Sequence, residues 1–165
     1  MEALTSPIPE EPVMAYTFIP HIPVADLERS RTFYEALGWR VRPGMEEGHS
    51  IVLDLGEDFG VTLVERSYMQ QMVGEGQELA DPTRSLCGSY ALVVETPEEV
   101  DELADRAAAL GAPEIRGEDA GYMRYRIFAD PDGHRWDVAW VDPLAMDRDW
   151  EAVRAKYPDA AIPQG

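Results

Sequence analysis

The chain has 165 residues, about one domain's worth, and 45% of them are apolar, enough for a single substantial core. With 14 Lys and Arg against 32 Asp and Glu, the formal net charge of −18 disfavours nucleic acid and anionic membranes as partners. The one cysteine, Cys87, excludes an internal disulfide and fits a reducing, cytoplasmic setting. Its apolar context, SLCGSYALVV, predicts a buried thiol. No apolar run approaches the roughly 20 residues that span a bilayer.

Residues 1 to 14 are acidic and proline-rich, without the basic and apolar regions of a signal peptide, and are expected to form a flexible tail. YTFIPHIPV, 16 to 24, reads as a strand whose prolines place it at an edge. In the following ADLERSRTFYEALGW, Asp26 suits an N-cap and Gly38 ends the helix. Leu27, Phe33, Tyr34 and Leu37 form its apolar stripe. WRVRP, HSIVLDL and GVTLVER then read as strands separated by turn-forming stretches, giving a βαβββ unit over 15 to 66. Residues 67 to 87 are polar and read as a connector with one helical turn.

The pattern then repeats over 88 to 142. SYALVVET is a strand, and PEEVDELADRAAALG is a helix in which Thr96 and Glu99 form a capping-box pattern. PEIRG, YMRYRIFAD and RWDVAWVD close the unit as strands, so the chain carries two copies of one βαβββ plan. Residues 143 to 165 form a tail with a short helix, where Trp150 can dock on the body or on a second subunit. Trp39, Trp136 and Trp140 are expected in the core.

FADPDGHRWDVAW, 128 to 140, concentrates acids, a histidine and tryptophans between the last two strands. DPDG is good turn chemistry: Asp130 accepts from the backbone, Pro131 fixes φ, and Gly133 suits the fourth position. RWDVAWVD lacks the alternating oxygen ligands of a calcium loop, so Asp130 to Gly133 is read as a hairpin turn. His134, at the turn, is expected to be solvent-exposed.

Four passages together resemble the vicinal oxygen chelate superfamily of glyoxalases, extradiol dioxygenases and bleomycin-resistance proteins. They are HIPVADLERSRTFYEALGW, GVTLVER, EEVDELADRAAALGA and FADPDGHRWDVAW. The resemblance implies an α+β fold of paired βαβββ modules, a curled eight-stranded mixed sheet around a cup, and a homodimer. It covers about 15 to 142.

The metal-dependent members place one ligand on the first and one on the last strand of each module. Carried over singly, those positions fall on Ile19, Thr62, Ser89 and Asp137. Isoleucine donates nothing and neutral hydroxyls bind divalent ions poorly, so no metal or other cofactor is expected. His21 shares strand parity with Ile19, about 6.6 Å further along. His21 and Asp137 are therefore candidate catalytic residues, or ligands of a displaced metal site, against the simpler reading of a hydrogen-bonded pocket histidine.

Arg124 and Arg126 lie on the strand next to Asp137 and offer it a structural ion pair, an alternative of equal weight to a ligand-binding role. The expected ligand-binding set is His21, Thr62, Ser89, Arg124, Arg126 and Asp137. Phe18, Tyr68, Met69, Met72, Tyr122 and Tyr125 are further pocket candidates.

Three functions fit this sequence. The first is a metal-free, glyoxalase- or bleomycin-resistance-like protein binding a small organic molecule in the cup. The second is a metal-dependent lyase or dioxygenase with a site rearranged around His21, Asp137, and Glu65 or His49. The third is an interaction role with the cup filled by side chains.

Overall fold

The computed structural model describes residues 18–56 and 59–162. The expected tail over 1–14 and the start of the first strand at 16–17 lie outside the described residues. The first module comprises β1 (His21–Val24), α1 (Leu27–Leu37), β2 (Arg40–Glu47), β3 (Ser50–Asp54) and β4 (Gly60–Glu65). The second comprises β5 (Ser89–Val93), α3 (Pro97–Ala109), β6 (Glu114–Asp119), β7 (Met123–Ala129) and β8 (Arg135–Val141). Between them lies α2 (Arg66–Met72), and α4 (Pro143–Met146) and α5 (Trp150–Lys156) follow the second module.

Each module forms a four-stranded mixed sheet, ordered β1-β4-β3-β2 and β5-β8-β7-β6. The paired βαβββ plan is as expected. Among the described residues, however, the eight strands form two four-stranded sheets rather than one continuous sheet. β1 pairs parallel with β4, and β5 with β8, while the remaining pairs are antiparallel.

Local chemistry explains the helix ends. Asp26 caps α1 by accepting from the Arg29 backbone N–H at 2.9 Å, and Gly38 ends it at φ 105°. Thr96 and Glu99 make both bonds of the capping box on α3, with Pro97 in its first turn. The connector departs from expectation: α2 runs two turns, Arg66–Met72, before the chain becomes irregular. No described helix is long and apolar enough to cross a membrane.

The core joins the two modules. Ile22, Phe33, Tyr34 and Leu63 from the first meet Val100, Phe128, Trp136 and Val138 from the second in one cluster. Tyr34 stacks on Trp39 at 4.7 Å, and Trp136 meets Trp39 edge-on at the same separation. The chain after β8 docks on the body: Tyr122, Ala145 and Val153 are buried together, with Trp150 edge-on to Tyr122 at 6.2 Å.

Candidate functional site

The DPDG stretch is the expected turn, and it also clamps the modules together. Asp130 Oδ1 accepts from the backbone N–H groups of Asp132 at 2.9 Å and His134 at 2.8 Å, closing the turn. Its Oδ2 accepts from the Tyr34 hydroxyl of α1, and that hydroxyl accepts in turn from Trp136 Nε1 at 3.0 Å. Burial, followed by the charge of Asp130, pushes the Tyr34 pKa well above its ordinary value.

Asp132 reaches across to the same helix. Its Oδ1 accepts from the Ala25 N–H at 2.9 Å and the Arg29 guanidinium at 2.8 Å, and its Oδ2 accepts from Ser30 Oγ at 3.0 Å. His134 corrects an expectation: it is buried, not exposed. Its Nε2 donates to the Pro23 carbonyl at 2.7 Å, which places a ring proton on that nitrogen. The acidic stretch thus spends its polar groups on holding β1 and α1 against the second module.

Of the expected cup residues, His21, Thr62, Ser89 and Asp137 lie on the sheet faces away from the core. Strand register sets His21 beside Thr62, and Thr62 beside Val52. His21 is exposed, Thr62 is buried, and Ile19 lies half-buried just before β1. In the second sheet Asp137 lies between Ala91 and Ile127, with the exposed Ser89 diagonally adjacent. Asp137 Oδ1 is buried and has no hydrogen-bond partner. Burial therefore raises the pKa of its carboxyl group.

The Asp137–arginine pair is corrected. Ile127 is the residue opposite Asp137, so Arg124 and Arg126, paired with Trp140 and Val138, share the other face. There Arg124 binds Asp101 and Asp119, and Arg126 binds Asp105 and Glu114. Glu65 and His49 are also committed to one another, at 3.0 Å, with the His49 ring stacked on Tyr68.

His21 lines a cavity of about 250 Å³ with Met69, Leu79, Cys87, Tyr90 and His134; Asp137 does not line it. The structure therefore does not join His21 and Asp137 in one cavity. Cys87 is exposed there rather than buried, because it ends the connector and precedes the strand. Of the aromatic and methionine candidates, Met69 alone lines this cavity. Phe18 is 83% exposed, Tyr122 packs under the C-terminal helices, and Tyr125 donates to Glu118.

The carried-over metal positions offer a poor donor set. Ile19 has no donor atom, Thr62 and Ser89 have neutral hydroxyls, and only Asp137 carries a carboxylate. Among the described residues, no three His, Cys, Asp or Glu side chains converge as a metal would require. The usual centre does not fit these residues.

The sequence reading missed the interlocking roles of Asp130, Asp132 and Ser30. One signal was present: Ser30 lies on the apolar stripe of α1, between Leu27 and Tyr34, where a fully buried hydroxyl needs a partner.

A family model described as the Glyoxalase/Bleomycin resistance protein/Dioxygenase superfamily matches residues 14–138. A hypothetical protein from S. aureus superposes with a TM-score of 0.66 at 26% identity, covering 77% of this chain and 95% of that one. A glyoxalase-related enzyme from Fulvimarina pelagi gives 0.62 at 25% identity, covering 77% and 88%. An antibiotic binding protein from a Streptomyces species gives 0.57 at 18% identity, a likeness of fold, over 80% and 100%. No curated protein matches.

Proposed function

The chain belongs to the glyoxalase/bleomycin resistance protein/dioxygenase superfamily, and on that premise we propose that it binds a small organic molecule against the sheet face that carries Asp137, the concave face of the expected cup, without the usual metal. The observation that carries this reading is Asp137. It presents a buried, unanswered carboxylate oxygen on an otherwise mostly uncharged strand face beside Ala91 and Ile127. Such an oxygen costs free energy in the empty protein and is satisfied by a ligand that brings an N–H, O–H or ammonium donor. An acidic surface favours the approach of a cationic molecule. The same fold serves an antibiotic binding protein, which is compatible with a sequestering role.

The test is a thermal-shift screen of small metabolites and antibiotics, run with and without EDTA. A ligand that stabilises the wild type equally in both conditions, and fails to stabilise Asp137→Ala, supports the reading. Near-stoichiometric zinc, nickel, manganese or iron in protein purified without chelators would favour the metal-dependent lyase or dioxygenase instead, with loss of that metal in His21→Ala pointing to a displaced site. We also infer a homodimer from the family; light scattering that gives the mass of one chain refutes it.

A further inference from the structure

A groove of about 710 Å³ opens between α1, the loop from α3 to β6, and the turn joining β7 to β8. That volume suits a small organic ligand. Thr32 and Phe33 of α1 line the groove together with Leu110, Pro113, Ile115 and Ala129. None of His21, Thr62, Ser89 or Asp137 lines it, although Arg135 shares the strand face of Asp137 two residues away, so the groove adjoins the Asp137 site without including it. Leu110 and Ile115 are 43% and 42% exposed, which leaves apolar surface at the groove uncovered.

Three charged side chains line the groove: Arg29, Asp130 and Arg135. The Asp130 carboxylate is already engaged by Tyr34 and by the N–H groups of its own turn. Arg29 is held by Asp132 at 2.8 Å. Arg135 is half-buried and has no ion pair or side-chain hydrogen bond among the described residues. A guanidinium presents planar paired donors that match a carboxylate, and partial removal from water strengthens that bond. The groove thus pairs an apolar trough with one uncommitted anion-binding group.

We propose that this groove is a second ligand site, which takes an organic carboxylate with an apolar body. Arg135 grips the carboxylate, while Phe33, Leu110 and Ile115 cover the body. The acid is a single, local anion: the overall charge of −18 repels polyanions, so recognition rests on this one guanidinium.

Octanoate and 2-naphthoate are suitable probes, with octanol and octylammonium as the uncharged and cationic comparisons. Titration calorimetry and nitrogen-15 NMR on the full chain read binding and its location. At least one carboxylate is expected to bind saturably at millimolar concentration or below, and more tightly than octanol or octylammonium. It should shift the resonances of 110–115 and 129–135. Arg135→Gln should weaken it by roughly tenfold or more, the usual scale for a hydrogen bond to a charged group. Ile115→Asp, which places a like charge at the groove wall, should weaken it independently. Asp137→Asn, which removes a negative charge two residues along the same strand face, should not weaken it, so failure of the concave-face reading and failure of this one are distinguishable. The proposal is overturned if neither carboxylate binds folded wild type at millimolar concentration. It is equally overturned if Arg135→Gln, shown folded by its melting curve, binds as tightly as wild type. Shifts confined to the concave face and lost in Asp137→Asn would overturn it too.

Discussion

Asp137 holds one carboxylate oxygen in a buried position on β8 where no donor reaches it. Burial raises its pKa, so the folded chain binds that proton more tightly than the unfolded chain does. The ionised group therefore weakens the fold above its folded pKa, and that penalty fades as pH falls through the window down to the ordinary carboxylate value. Asp137→Asn is expected to melt at or above the wild-type temperature at pH 7, with the gap closing in acid; calorimetry across pH 3 to 8 checks it. A mutant that melts lower at neutral pH would show that the carboxylate has a structural partner. Tyr34 poses the opposite case. Tyr34→Phe removes the donor to Asp130 and the acceptor for Trp136 together, both in the core. Two orphaned buried groups predict a loss of about 2–4 kcal/mol in denaturant unfolding. The identities of Asp137 and Asp130 were legible in the sequence, but their partners were not. Parity on β7 placed Arg124 and Arg126 correctly relative to each other, and only the register of Ala129 with Arg135 across the turn shows that they face away from Asp137.

The turn between β7 and β8 works as an element because another segment lies directly on it. Gly133 adopts φ +91°, and a Cβ there would stand 2.9 Å from both the backbone nitrogen and the Cγ2 of Thr83. Gly111 makes an informative contrast: its φ is +86°, yet a Cβ would meet nothing within 4 Å. Gly111→Ala is expected to cost only backbone strain, about 1–2 kcal/mol. Gly133→Ala must in addition displace the connector, so its unfolding free energy should fall further, and protease cleavage within residues 74–88 should accelerate. Equal effects from the two substitutions would mean that the connector does not rest on the turn. Helices with chemical end signals were the most legible elements. The capping box of Thr96 and Glu99 and the Asp26 cap stand where the sequence puts them, because those bonds are local. α2 was underestimated for the same reason: Glu65 precedes it without a side-chain cap, and none of its residues is buried, so neither end signal nor apolar stripe marks it.

Across the whole molecule, the doubled βαβββ plan was readable because hydrophobic periodicity and caps recur in each half. The cavities were not, since they form where the connector, the turn and the helices meet, and those contacts join residues far apart in sequence. The C-terminal segment shows the same dependence on distant contacts. Asp142 is almost wholly buried; its Oδ2 accepts from Lys156 Nζ at 2.7 Å and Tyr157 Oη at 2.6 Å, and its Oδ1 from the Leu144 N–H. Burial opposes ionisation there, but those hydrogen bonds outweigh it and hold the carboxyl group below its ordinary pKa. The stability this supplies is present above the unfolded carboxylate value and is lost as pH falls through the lowered folded one. Truncation after Asp142 removes both side-chain donors, along with Val153 and Ala145, which pack on Tyr122. Burial of such side chains contributes about 1.5–3 kcal/mol for a valine, and each kcal/mol shifts Tm by about 2–4 °C at this size. The truncated chain is expected to melt roughly 5 °C or more below the full chain at pH 7, with a smaller difference at pH 3, below the ordinary carboxylate value, where the unfolded chain takes up the proton that folded Asp142 resists. A difference that stays constant with pH would assign the docking of α4 and α5 to apolar packing alone and remove Asp142 from it.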